Sequence, residues 1–181
     1  MKQLQDYIRL YENAFPADLR DRLFELLKQA QSWSPAHTGA GFDPATRDTL
    51  TMYLSSPEAK AQTPWLHDGI RSAVMAAFKR YHEEFPEVQV RGDTGYELLR
   101  YETGGFYAQH VDGDFKNPRV LSCSIALNDN YTGGEFGFFW GEISVPMPAL
   151  SILLFPSNFQ YPHEIFPVET GERYSIVTWL I

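Results

Sequence analysis

From about residue 90 onward the chain consists of short runs of Val, Ile, Leu, Phe and Tyr, cut at close intervals by Gly, Asn, Asp and Pro. This texture limits the fold more than any other feature. Runs of that length suit strands, and the punctuation between them suits tight turns. Strands are predicted near residues 96–101, 106–110, 119–127, 136–140, 143–145, 150–155, 163–168 and 173–181. Turns are predicted at Gly104-Gly105, from Asn128 to Gly134, from Pro156 to Asn158 and from Glu169 to Gly171. Many short strands joined in this way imply a sandwich or a small barrel.

The first half has a different period. Pro16 and Asp18 suit the first turn of a helix, and Leu19, Leu23, Leu26, Leu27 and Ala30 follow at helical spacing. Thr63-Pro64 suits a second helix start, with Thr63 as the cap. Leu66, Ile70, Ala73, Val74, Ala77, Phe78 and Tyr81 then form an apolar stripe that Pro86 ends. Between the two helices, residues 34–48 (Ser34 to Asp48) are rich in Ser, Pro, Gly, Thr and Ala and read as a long loop, either a lid over a site or an uninvolved surface segment. The expectation is an α+β chain of one domain, 1–181, with residues 1–90 as mainly helical support and 91–181 as the β core.

Composition narrows the function. Fifteen Lys and Arg against 23 Asp and Glu give a net charge of −8, which disfavours a nucleic-acid partner or a polybasic membrane anchor. A single cysteine, Cys123, rules out an intrachain disulfide and reads as a small buried apolar residue. The longest apolar run, Ile152 to Phe155, is far short of the roughly 20 residues that span a bilayer. A soluble, cytoplasmic protein is expected.

Several residues carry chemistry. His110 and Asp112 are two apart, so on a strand they face one way and can reach one metal ion. His163 follows 51 residues after Asp112. Two histidines and a carboxylate are the donor set of a facial triad on non-haem Fe(II). His82-Glu83-Glu84 has a similar pattern but ends a helix and reads as a solvated helix end. Arg173, ten residues beyond His163, would return beside it if the two segments form a hairpin, and could hold the far carboxylate of a short diacid whose near end chelates the metal. Ser175 shares the face of Arg173. Along residues 119–127, Leu121, Cys123, Ile125 and Leu127 form an apolar face. Val120, Ser122, Ser124 and Ala126 form a small, partly polar one that leaves space for a ligand.

Tyr101-x-x-Gly104-x-x-Tyr107-x-x-His110-x-Asp112, then Arg119-Val120-Leu121-Ser122, Leu127-Asn128, Gly133-Gly134-Glu135, His163, Pro167-Val168, Gly171-x-Arg173-Tyr174-Ser175 and Trp179, together resemble the 2-oxoglutarate/Fe(II) oxygenases of the prolyl 4-hydroxylase type. The resemblance covers roughly residues 94–181. It implies a distorted double-stranded β-helix, or jelly roll, with the N-terminal helices on one sheet. It implies His110, Asp112 and His163 as catalytic iron ligands and Arg173 as the cosubstrate anchor, with Ser175 and Tyr101 beside the cosubstrate and Tyr107 and Trp179 toward the substrate. Fe(II), 2-oxoglutarate and O2 are the implied cofactor and cosubstrates, with ascorbate a further candidate.

The chain departs from relatives in three places. It has Arg173 where many prolyl 4-hydroxylases have Lys. It has Ala126 where some relatives use a Tyr, and Ile181 where some have a His. The implied reaction is hydroxylation of a C–H bond, with a prolyl residue of a protein or peptide as the preferred substrate and decarboxylation of 2-oxoglutarate to succinate. A free amino acid or other small molecule is the alternative substrate, and a non-catalytic jelly-roll binding module the alternative class. Phe138, Phe139 and Trp140 read either as an aromatic wall beside the substrate or as ordinary alternation of core and surface.

Overall fold

The computed structural model describes residues 2–28, 33–38, 41–116 and 118–181. In chain order the strands are β1 (Arg9–Tyr11), β2 (Ser34–Pro35), β3 (Arg47–Asp48), β4 (Leu50–Tyr53), β5 (Glu97–Tyr101), β6 (Phe106–His110), β7 (Leu121–Ala126), β8 (Thr132–Gly133), β9 (Phe136–Phe138), β10 (Ile143–Val145), β11 (Ile152–Pro156), β12 (His163–Ile165), β13 (Val168–Thr170) and β14 (Arg173–Leu180). The helices are α1 (Ala17–Leu27), α2 (Pro57–Gln62) and α3 (Pro64–Glu84).

The strands form two main antiparallel sheets. The larger has the order β1-β11-β7-β14-β5-β4-β2, and the smaller has the order β10-β9-β12-β6-β3. The two sheets form the expected jelly roll, and helices cover the larger one. Side-chain alternation divides the core in two. On the helix side, Leu121, Cys123 and Ile125 of β7 and Ile176 and Leu180 of β14 pack with Leu19 and Leu23 of α1 and Ile70, Val74 and Tyr81 of α3. Between the sheets lie Leu99, Tyr101, Ala126, Phe136, Phe138, Leu153 and Phe155. Cys123 is buried and free, as its sequence context suggested.

Several local expectations need correction. Pro16 lies just outside α1, as its N-cap, with Asp18 in the first turn. Leu26 is exposed, and Ala30 falls outside the described residues. Thr63 is the N-cap residue of α3 and Pro64 its first residue, as expected, but the Thr63 side chain makes no capping bond. Its Oγ1 donates to the Ala59 carbonyl of the preceding helix, because α2, which the sequence reading missed, ends there. Ser56 caps α2 by accepting from the Ala59 N–H.

Residues 34–48 are also more than a loop, although residues 39–40 are outside the described set. Ser34–Pro35 pairs with β4 in the large sheet, and Arg47–Asp48 pairs with β6 in the small one. Glu84 does not simply project into water from the helix end, since it bonds Arg9 at 2.8 Å.

The hairpin expected between His163 and Arg173 does not form. β12 pairs with β6 and β9, whereas β14 pairs with β5 and β7. The chain changes sheets between them because Val168–Thr170 is diverted onto β8. Among the described residues, no helix is long and apolar enough to cross a membrane.

Ile70 is fully buried where α3 meets the large sheet. Ile70→Ala should lower unfolding free energy by about 2–5 kcal/mol, read by denaturant titration, without altering ligand binding between the sheets.

Candidate metal centre

His110 ends β6, and its register partner on β12 is His163. The pairing places the two imidazole centroids 4.3 Å apart. Asp112 does not share their strand. It lies in a bend just past β6, so strand alternation is not what aligns it with His110. Hydrogen bonds hold it there. Ser122 Oγ on β7 donates to Asp112 Oδ2 at 2.6 Å, and Arg119 Nη1 donates to the Asp112 carbonyl at 2.9 Å. Asp112 Oδ1 is then 3.5 Å from His110 Nε2, and Oδ2 is 3.4 Å from His163 Nε2. One donor atom from each residue falls within 4.8 Å of the others, so the three can hold one metal ion.

The protonation states suit a divalent cation. His110 Nδ1 lies 2.9 Å from the Ala108 carbonyl, and His163 Nδ1 lies 3.1 Å from the Tyr161 carbonyl. A ring N–H donated to each carbonyl leaves each Nε2 with a free lone pair. Burial pushes the His163 imidazole down to about 4, against the upward pull of Asp112, so it is neutral near pH 7. Burial alone would raise the Asp112 carboxyl. His163, His110 and the Ser122 hydroxyl outweigh that and hold it well below the usual carboxylate range. Neutral imidazoles and an ionised carboxylate are the forms that bind metal.

The triad opens into a cavity of about 390 Å³ between the sheets. Arg173 enters the same cavity from β14 and is only 2% exposed. Its Nη1 donates to Ser175 Oγ at 3.0 Å, while Nε and Nη2 are buried with no partner. Tyr101 is its register partner on β5, with the guanidinium carbon 5.2 Å from the ring centroid. Gly134 supports this placement. It has a φ of +70°, and a Cβ there would come within 3.0 Å of Arg173 Cδ. The triad and Arg173 thus belong to facing sheets rather than neighbouring strands.

The other expected site residues line the same cavity. Ser175 and Tyr101 are at the Arg173 end. Tyr107 stacks on His110 with centroids 3.6 Å apart, and Trp179 lies farther along β14 under the Arg119 guanidinium. Ser122 and Ser124 project into the cavity, as the small face of their strand suggested.

The aromatic wall does not form. Phe138 is in the core, and Phe139 and Trp140 have left-handed φ values of 53° and 60° in the turn after β9, with Trp140 exposed. Phe136 lines the cavity instead. Arg47 and Arg119 also line it, and the sequence reading assigned neither a role. Arg47 fell in the segment read as loop.

Residues 96–181 match the 2OG-Fe(II) oxygenase superfamily. A PKHD-type hydroxylase of Janthinobacterium sp. (strain Marseille) is 34% identical over 93 residues, covering 45% of this chain and 40% of that protein. One from Synechococcus elongatus is 36% identical over 91 residues, with the same coverage of each. The chain therefore aligns with less than half the length of these curated relatives. A prolyl hydroxylase from Trichoplax adhaerens, solved with a hypoxia inducible factor oxygen degradation domain peptide fragment, superposes with a TM-score of 0.79 at 19% identity. That superposition covers 97% of this chain and 83% of the other. A Pseudomonas putida prolyl-4-hydroxylase gives 0.74 at 21% identity, covering 96% and 92%. At these identities the two structures establish a shared fold.

Ser122 fixes the carboxylate of Asp112, and loss of such an outer partner typically weakens a metal site 10–100-fold. Ser122→Ala should therefore lower Fe(II) affinity by about that factor, measured by anaerobic titration, with the thermal midpoint little changed.

Proposed function

We propose that this chain, whose residues 96–181 match the 2OG-Fe(II) oxygenase superfamily, is a 2-oxoglutarate-dependent dioxygenase that hydroxylates a prolyl residue in a protein or peptide. The observation that carries the reading is Arg173, a guanidinium almost wholly removed from water, with two unpartnered nitrogens, in the cavity that also holds the triad. Burying such a charge without an anion is costly. A bound carboxylate supplies the missing partner, and Arg can engage it through two parallel bonds.

The donor set fits Fe(II). His110, Asp112 and His163 would hold it, two imidazole nitrogens and a carboxylate leaving positions open for cosubstrate. When bound, the iron with O2 and 2-oxoglutarate supplies the oxidising chemistry: one oxygen atom enters the C–H bond, the other enters succinate, and carbon dioxide leaves.

The chain's own residues bind, orient and exclude water. Arg173 and Ser175 take the far carboxylate of 2-oxoglutarate, and Tyr101 closes the side of that pocket. Phe155 packs against His163 with ring centroids 4.7 Å apart and keeps that side dry. Tyr107, stacked on His110, and Trp179 border the space left for the substrate. The solved neighbours named as prolyl hydroxylases support a prolyl substrate, and the helices bracing the large sheet support residues 1–181 working as one unit. A single buried cysteine suits the reducing cytoplasm.

The test is incubation with Fe(II), 2-oxoglutarate and air against a proline-containing peptide library. Succinate release together with a one-oxygen mass gain on a peptide supports the reading. Absence of both succinate and metal-dependent 2-oxoglutarate binding overturns it. Asp112→Ala should lose Fe(II) binding and turnover while staying folded. A charged hydrogen bond contributes about 1.5–3 kcal/mol, so Arg173→Ala should weaken 2-oxoglutarate binding at least about tenfold while Fe(II) affinity holds.

A further inference from the structure

The cavity contains a second buried guanidinium that the proposed cosubstrate does not use. Arg47 is 8% exposed and lies on β3, directly across from Tyr107 on β6. Its guanidinium carbon is 4.6 Å from the Tyr107 ring centroid, and that ring in turn stacks on His110. Nη1 donates to the His37 carbonyl at 3.0 Å, while Nε is buried with no partner. Among the described residues Arg47 forms no ion pair. Arg9, Arg20 and Arg100 do, with Glu84, Asp21 and Glu102 respectively.

Two arginines with buried, unpartnered nitrogens thus line one cavity in a chain of net charge −8. They stand on opposite sheets, Arg173 beside Tyr101 and Arg47 beside Tyr107. In the proposed function the cosubstrate has one carboxylate at the metal and one at Arg173, so it has none for Arg47. The same residue that borders the substrate space, Tyr107, is the one Arg47 stacks on and pairs with.

We infer that Arg47 is a substrate-binding residue that receives a carboxylate of the molecule being hydroxylated, so the enzyme selects substrates bearing an anion near the reacting carbon. The inference rests on the oxygenase reading for what occupies Arg173 and the triad. Its own content is an anion receptor on the Tyr107 side of the cavity. The carboxylate can be the α-carboxylate of a free or C-terminal proline or the side chain of a flanking acidic residue. Glu97 lines the same cavity from β5 without an ion pair among the described residues, which gives a free amino acid a counter-charge for its ammonium group.

The test compares carboxylates with their amides on the protein loaded with Fe(II) and 2-oxoglutarate under nitrogen, where no turnover occurs. Binding is read by calorimetry. One pair is N-acetylproline and N-acetylprolinamide, a second is acetyl-Pro-Glu-amide and acetyl-Pro-Gln-amide, and free L-proline is a third probe. In at least one pair the acid should bind about tenfold tighter than the amide, and the tighter pair identifies the source of the carboxylate. Arg47→Gln should erase that preference while 2-oxoglutarate affinity stays within about twofold. Arg47→Lys, which keeps the charge but loses the planar fork, should retain part of it.

Equal binding of acid and amide in both pairs by the unaltered protein, with free proline no tighter than N-acetylprolinamide, overturns the inference whether or not the variants fold. So does a preference that survives Arg47→Gln. Repeating the titrations without metal or 2-oxoglutarate separates the two readings. Failure of 2-oxoglutarate to bind in a metal-dependent way counts against the oxygenase reading, whereas an acid-over-amide preference that Arg47→Gln abolishes supports the receptor even then.

Discussion

The larger sheet must be apolar on one face and roomy on the other, and the alternation of side chains along β7 and β14 makes both possible. Leu121, Cys123 and Ile125 alternate with Ser122, Ser124 and Ala126, so one strand seals against α1 and α3 while opening a space on its other side. β14 does the same with a different set. Ile176 and Leu180 face the helices, and Arg173, Ser175 and Trp179 face the cavity. A shift of one residue in β14 would put the Arg173 guanidinium into the helix interface, and one in β7 would put Leu121 into the cavity. The helical half of the chain therefore helps fix the register on which the binding groups depend.

Charge inside the cavity follows from the same arrangement. The chain is acidic as a whole, yet Arg47, Arg119 and Arg173 all line this one space, alongside Glu97, Asp112 and Asp114. Each has a partial substitute for water. Arg173 has the Ser175 hydroxyl and two aromatic rings, Arg119 has the Trp179 ring and the Asp112 carbonyl, and Arg47 has the Tyr107 ring and the His37 carbonyl. Rings and carbonyls soften the loss of hydration without cancelling the charge. The unpartnered nitrogens of Arg47 and Arg173 therefore retain an attraction for anions, although carboxylates share the cavity with them.

Much of this was legible in the sequence. The strands after residue 90 are short apolar runs bounded by turn residues, so their approximate positions are legible, and the two faces of β7 follow from its alternation. The histidines and Asp112 stood out because their side chains have few bland uses when clustered. What could not be read depends on contacts distant in sequence. Alternation puts Asp112 on a strand face, but its position is set by Ser122 and Arg119, and no local pattern reports a hydrogen bond from another part of the chain. Residues 34–48 have a loop's composition, and their short pairings with β4 and β6 contain too few residues to leave a periodic trace. Nothing in the sequence around Arg47 therefore marks it as buried in the cavity. The supposed hairpin from His163 to Arg173 failed because two strands at hairpin spacing were separated by a third, two-stranded sheet that the turn residues do not reveal.

That small sheet has a mechanical consequence. Nine residues of chain separate His163 from Arg173, and midway they are clipped to β8. That short, pinned stretch of main chain ties the strand of His163 to the strand of Arg173 and limits how far the two can part. Such a stretch acts as a gauge for whatever bridges the two ends. Insertions in outer loops would leave the gauge unchanged, whereas a single residue added between Ile165 and Arg173 would reset it.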